Sequence, residues 1–305
     1  MDREGIIKTK DSRDIEGIIT KGVGGAYTIF AEGKSYICNA RGIFRNRKTT
    51  PLVGDYAIIS VTDEDNQKGT LHTIKPRKNQ LRRPPVANID QVIITVATAR
   101  PAFNAGLLDR FLVLVAHEDI DVLICVNKSD IAKKDDSFSP YIAAGYPLVY
   151  TSAIDLHSDG LADLRRHMAG KVNVFAGPSG VGKSSLINAL SPKLTLATGD
   201  LSTKLGRGKH TTRHSEIFAL SENAADGYCV DTPGFSSLET ETIPRSRLPV
   251  LFREFPPFSD GCRFVDCLHY QERDCAVKEQ VGQGISPLRY ESYVKILQTT
   301  NGASR

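Results

Sequence analysis

The chain has 305 residues, 40% apolar and 24% charged, with a formal net charge of +4, the profile of a globular protein long enough for two or three domains. That charge is too small to argue for nucleic acid by itself, and the first eleven residues lack the apolar core of a signal peptide. The most apolar stretch, 111–126, is broken by His117, Glu118, Asp119 and Asp121, so no membrane span is expected; the six cysteines lack the spacing of a secreted disulfide scaffold, so a reducing cytoplasm is expected.

From residue 1 to about 72 there is no helical period. Ile15–Thr20, Ala26–Ala31, Lys34–Asn39 and Tyr56–Thr62 are short, β-branched or aromatic runs separated by glycines, which predicts a small closed barrel of the oligonucleotide-binding (OB) type. Arg41, Arg45, Arg47 and Lys48 cluster in one loop, as much a solvated loop as an RNA-phosphate contact. Lys75, Arg77, Lys78, Arg82 and Arg83 follow with no acid between them, and Pro84-Pro85 ends the segment. It reads as a basic linker, 73–85, at a domain boundary.

Strands and helices then alternate. Gln91–Thr98 is a buried strand, 107–115 carries a helical apolar period, and Asp121–Val126 and Pro147–Tyr150 are further strands. A short helix at 161–168 precedes the strand Lys171–Ala176. This alternation predicts a three-layer α/β domain with a parallel sheet.

Gly177-Pro178-Ser179-Gly180-Val181-Gly182-Lys183-Ser184 satisfies the phosphate-loop pattern G-x-x-x-x-G-K-[ST], with Ser185 opening the helix that follows. Strand, glycine loop and helix aim a helix N-terminus at phosphate. Lys183 is expected to reach the outer phosphates and to share in catalysis, and Ser184 to ligate Mg²⁺. Asn127-Lys128-Ser129-Asp130 follows one predicted strand and Thr151-Ser152-Ala153 another. Both lie where α/β folds bind ligands, and together they match the base-reading boxes of GTPases. A buried Asp130 carboxylate would accept from guanine N1–H and its amine, a donor pair that adenine lacks. Asn127 would hold the loop, Lys128 cover the base, and N–H groups near Ser152 and Ala153 meet the guanine oxygen.

In most GTPases the phosphate loop comes first and these boxes last; here they precede it. After the loop come the candidate switch Gly208-Lys209-His210-Thr211-Thr212 and then Asp231-Thr232-Pro233-Gly234. Asp231 and either Thr211 or Thr212 are expected to complete the Mg²⁺ site, with Gly234 at the γ-phosphate. The order is a circular permutation. Phe235 occupies the place where conventional GTPases often carry a water-orienting Gln.

These boxes, with Pro51-Leu52-Val53-Gly54-Asp55, Arg82-Arg83-Pro84, Asn88-Ile89-Asp90-Gln91, the 206–212 segment and the C-terminal cysteine cluster, make the chain resemble the circularly permuted small-ribosomal-subunit GTPases, the RsgA (YjeQ, YloQ) family. The resemblance covers nearly the whole chain. It implies an OB barrel (1–72), a permuted GTPase domain (73–240) and a zinc-bearing domain with helices (241–305). It also implies action late in small-subunit maturation, with GTP hydrolysis stimulated by that particle. Family membership suggests His210 as the water-orienting or proton-accepting group; anchoring the switch or touching RNA is the competing reading. Lys204, Arg207, Lys209 and Arg213 are the candidate rRNA contacts of the switch.

Cys262, Cys267, His269 and Cys275 offer a complete Cys₃His set for one structural Zn²⁺. Metal binding is expected to drive folding of this region, which reads as having little core of its own. Residues 287–297 read as an amphipathic helix, and Phe252, Phe255 and Phe258 as packing on the GTPase domain. No homodimer surface is legible, so a monomer binding GTP or GDP and rRNA is expected. A GTP-regulated RNA-binding module with incidental turnover is the alternative, and an ATP-dependent kinase is opposed by the 127–130 box.

Overall fold

The computed structural model describes residues 13–40, 50–81, 85–131, 136–191, 216–221, 225–231 and 240–300. It divides into two compact units: 1–89 with 170–172 and 207–233, and 90–169 with 173–206 and 234–305.

The first unit is built on a closed five-stranded barrel. Strands β1 (Arg13–Val23), β2 (Ala26–Ala31), β3 (Lys34–Ala40), β4 (Tyr56–Asp63) and β5 (Lys68–Ile74) close in the order β1-β2-β3-β5-β4. Period-two alternation fills the interior with Ile15, Ile19, Ile29, Tyr36, Cys38, Ala57, Ile59, Val61 and Leu71. Gly17 sits between the inward Ile15 and Ile19, where a Cβ would lie 2.5 Å from the Phe30 carbonyl oxygen; the close approach requires glycine. The OB-type barrel expected from sequence is present. Its fifth strand is not anticipated, because Lys68–Ile74 buries Gly69 and Leu71, only one of them a large side chain, and so lacks the alternation signal.

Two cations of the basic linker have acidic partners outside it. The fully buried Asp55 carboxylate accepts from Arg77 Nε at 2.7 Å, Arg77 Nη2 at 2.8 Å and the Leu52 N–H at 2.7 Å. Lys75 pairs with Glu16. These two cations serve the barrel, because Asp55 and Glu16, distant in sequence, fold back onto them. Arg82 and Arg83, like Arg41, Arg45, Arg47 and Lys48, lie outside the described residues. The short pair β6 (Gln80–Leu81) and β7 (Val86–Ala87) follows.

The second unit carries parallel strands β8 (Gln91–Ala97), β9 (Asp121–Asn127), β10 (Leu148–Tyr150) and β11 (Val172–Ala176), paired in the order β10-β9-β8-β11. Every residue of β8 is buried, as a strand covered on both faces demands. Helices α1 (Ala105–His117), α2 (Ser139–Ala143), α3 (Asp159–Met168) and α4 (Lys183–Leu190) belong to the same alternation. The Asn104 side chain caps α1 by accepting from the Leu107 N–H at 3.0 Å.

Back in the first unit, β12 (Glu216–Ala219) and β13 (Tyr228–Asp231) form an antiparallel pair. The Tyr228 N–H donates to the Lys171 carbonyl at 2.8 Å, just before β11.

The C-terminal region has four helices: α5 (Leu248–Leu251), α6 (Pro256–Ser259), α7 (Ala276–Glu279) and α8 (Pro287–Thr299). The expectation of a small core there is corrected. Phe252, Phe255, Val277, Tyr293, Ile296 and Leu297 form one buried cluster with Cys267, Cys275 and Val113 of α1. Aromatic residues scattered over forty positions supply it, a pattern without a short-range sequence signature. Tyr293 lies within this core, and Phe258 packs against its edge.

Candidate functional site

The phosphate loop leaves β11 at Gly177, whose φ is 131°; a Cβ there would lie 2.1 Å from the Thr95 carbonyl oxygen of β8. Gly182 has φ 97°, and its Cβ would lie 2.4 Å from Asn127 Nδ2. Both positions demand glycine for backbone angle and for space. Lys183 opens α4, whose first N–H groups have no partner within the helix, the general basis of anion binding at a helix start. Its ammonium donates to the carbonyls of Gly177 and Pro178, each at 2.8 Å. Burial pushes the Lys183 pKa down, so an anionic oxygen brought to this ammonium would stabilise its charge.

The base boxes lie against this loop although they precede it in the chain. Asn127, at the end of β9 and 1% exposed, donates from Nδ2 to the Val181 carbonyl at 2.8 Å. Lys128 adopts a left-handed φ of 64°, and its ammonium donates to the Gly180 carbonyl at 2.7 Å and to the Arg100 carbonyl. The Thr151 hydroxyl donates to Asn127 Oδ1 at 3.2 Å, and the Ser129 N–H to the Thr151 carbonyl at 3.0 Å. The Ser152 hydroxyl donates to Asp130 Oδ1 at 2.6 Å, fixing one carboxylate oxygen. The two boxes are therefore cross-bonded to each other and to the phosphate loop.

Asp130 is exposed, not buried as sequence reasoning supposed. It stands three residues beyond Asn127, the last buried position of β9. Sequence reasoning missed two further members, Thr151 as the link between boxes and the Arg100 carbonyl as the second seat of Lys128. Neither has a signal, since one contributes a common hydroxyl and the other only its main chain.

Asp231 ends β13 in the first unit, its Cα in register with Glu216. His210, Thr211, Thr212 and Gly234, with Lys204, Arg207, Lys209, Arg213 and Phe235, lie outside the described residues.

A second cluster lies in the C-terminal region. The ligand atoms of Cys262, Cys267, His269 and Cys275 all lie within 4.8 Å of one another. His269 Nδ1 is 3.6 Å from Cys262 Sγ and 3.4 Å from Cys275 Sγ, and those two sulfurs are 3.8 Å apart. Tetrahedral coordination with Zn–S bonds of about 2.3 Å separates sulfurs by about 3.8 Å, whereas a disulfide needs about 2.05 Å. The donor set fits a tetrahedral metal. Burial pushes the Cys267 and Cys275 thiols up and the His269 imidazole down, so these three buried groups favour their neutral forms until a cation displaces protons from the thiols. Around it, His269 Nε2 lies 3.4 Å from the Ser259 hydroxyl, and the Tyr290 hydroxyl donates to the His269 carbonyl at 2.8 Å. The Glu272 carboxylate accepts from the Leu268 and Tyr270 N–H groups at 2.9 and 2.8 Å.

Arg289 of α8 ties this region to α1. Its guanidinium, 1% exposed, donates to Glu254 from Nε at 2.7 Å and from Nη2 at 3.0 Å, and to Asp109 of α1 from Nη1. It also stacks 4.7 Å from the centroid of Phe252. Burial opposes the Arg289 charge, but Glu254 and Asp109 outweigh it and hold it protonated. Burial pushes Asp109 up, and Arg289 only partly offsets it.

Family models match in two places: one described as RsgA GTPase over residues 74–241 and one as RsgA N-terminal domain over 16–71. A curated protein of Alkaliphilus metalliredigens, named small ribosomal subunit biogenesis GTPase RsgA, is 46% identical over 286 residues, covering 92% of this chain and 96% of its own length. One of the same name from Geobacillus thermodenitrificans is 45% identical over 289 residues, with 92% and 96% covered. Among solved structures, YloQ, described as a circularly permuted GTPase, aligns with a TM-score of 0.77 at 38% identity over 94% of each chain. YjeQ from Thermotoga maritima aligns with a TM-score of 0.78 at 34% identity, over 94% of this chain and 98% of its own.

Proposed function

The chain belongs to the RsgA GTPase family and is a GTP hydrolase, and we propose that it acts in maturation of the small ribosomal subunit, binding rRNA and hydrolysing GTP when the particle stimulates it. The observation that carries the nucleotide reading is the bonding of Asn127 and Lys128 to the Val181 and Gly180 carbonyls. It supports reading the base boxes and the phosphate loop as one site in spite of their inverted order. We assign guanine recognition to Asp130 with Ser152 and Ala153, and phosphate binding to 177–185 with Lys183 as the main cation. Phosphoryl transfer needs positioning and charge stabilisation more than covalent chemistry. Ser184, Asp231 and Thr211 or Thr212 would hold Mg²⁺, which when bound neutralises phosphate charge. Gly234 would meet the γ-phosphate and His210 orient water.

Zn²⁺ is the metal we assign to the Cys₃His cluster, as a closed structural site. The domain division 1–72, 73–240 and 241–305 is part of the same reading, with the chain working as a cytoplasmic monomer. No helix among the described residues is long and apolar enough to cross a membrane. Turnover of GTP and ATP, alone and with small or large ribosomal subunits, tests the proposal. A slow rate that rises only with GTP and small subunits supports it; a rate indifferent to ribosomes removes the proposed partner.

A further inference from the structure

The outer face of the barrel carries an apolar row that its interior does not use. Ile18 of β1 is in register with Phe30 of β2 on one side and Tyr56 of β4 on the other. All three alternate out of the barrel core, yet Ile18 is only 2% exposed. Tyr228 of β13 meets this row. Its ring packs edge-on against Phe30 with centroids 6.4 Å apart. Burial and the neighbouring Tyr56 phenol push its hydroxyl pKa up. Further along β1, Lys21 Nζ pairs with Glu216 Oε2 of β12 at 3.0 Å. Glu216 is the register partner of Asp231, the carboxylate assigned above to Mg²⁺. The barrel thus grips the strand pair at both ends, through Tyr228 and through the residue opposite Asp231.

We infer that the barrel holds the β12–β13 pair in place for GTP hydrolysis, with Lys21 and Glu216 as positioning residues that fix the backbone carrying Asp231. The inference rests on the reading of Asp231 proposed above and extends it by giving the barrel a part in the hydrolytic step. An antiparallel pair of only four residues per strand has few ladder bonds of its own, so outside contacts decide how firmly its end is held.

The test is a charge-swap cycle read by single-turnover GTP hydrolysis, with and without small subunits, beside the GDP Kd and the thermal midpoint. A half-exposed ion pair sets the scale, so Lys21→Glu and Glu216→Lys are each expected to slow hydrolysis about threefold. The GDP Kd and the midpoint should hold, because Asp130 and the phosphate loop are untouched. The combined Lys21→Glu/Glu216→Lys protein should recover most of the wild-type rate. Phe30→Ala should slow hydrolysis in the same direction. Single variants that hydrolyse at the wild-type rate, or a combined variant as slow as the product of the two singles, would overturn the inference. Wild-type protein indifferent to small subunits would instead strike the ribosomal reading, and the same cycle run on the intrinsic rate still decides the role of the pair.

Discussion

In the nucleotide site most polar contacts of the functional side chains end on main-chain carbonyls: Lys183 on Gly177 and Pro178, Asn127 on Val181, Lys128 on Gly180 and Arg100. In the C-terminal region the key partners are side chains: three thiols and an imidazole, Arg289 between two acids, and Tyr293 against Phe252 and Phe255. The first arrangement shapes a surface for a ligand, so losing one side chain there should change binding and leave the fold standing. The second closes on itself, so losing one member strands its partners in the interior and should weaken the fold.

The largest effect is expected at the metal. Cys275→Ser should reduce bound zinc from about one equivalent to none, since a closed site tolerates no missing ligand. Proteolysis should then cut within 262–275 while α8 survives, because the packing of Tyr293 on Phe252 and Phe255 involves none of the four ligands directly. Retention of one zinc equivalent would remove the assigned ligand set, and loss of α8 would show the core to be subordinate to the metal. Next comes Arg289→Ala, which leaves Asp109 and Glu254 buried without their cation. It should cost about 3–5 kcal/mol in urea unfolding and move the GDP Kd by less than about twofold. An unchanged urea midpoint would contradict the account of this network.

A pH series sharpens the same contrast. Burial raises Asp109 above its ordinary 3.8, so the native state binds this proton more tightly than the unfolded chain. Its contribution is full below about pH 4 and is lost as pH rises through the raised native value. Asn at this position does not titrate. The stability of wild type relative to Asp109→Asn should therefore fall as pH climbs above 4; a difference independent of pH would mean that Asp109 is not shifted upward. The smallest effect belongs to the nucleotide site. Ser152→Ala removes one hydrogen bond to Asp130 and should weaken GTP binding about fivefold with no change in the urea midpoint. A fall in stability as large as that of Arg289→Ala would erase the distinction between the two regions.

The same contrast decides what could be read from sequence. The phosphate loop is contiguous, because one tight turn needs glycines at fixed spacing, and the base boxes stand at strand ends marked by buried apolar runs. The Cys₃His set is likewise local. Asp109, Glu254 and Arg289 lie up to 180 positions apart, and nothing short-range joins them. The ion pair of Arg77 is not legible within the basic linker because its acceptor, Asp55, lies twenty-two residues earlier. Strand β12 is four residues long, too short for periodicity to declare itself. The barrel was legible from four alternating runs, while β5, with one large inward side chain, was not.

The central claim is that the boxes at 127–130 and 151–153 read guanine for the phosphate loop that follows them. Competition binding of GTP and xanthosine triphosphate to wild type and to Asp130→Asn tests it most directly. Xanthine carries a carbonyl where guanine has its amine, so an Asn amide at this position donates where the Asp carboxylate accepted. The account predicts that wild type prefers GTP by about 10²-fold or more and that Asp130→Asn prefers the xanthine nucleotide. Equal weakening of both nucleotides in the variant would contradict it.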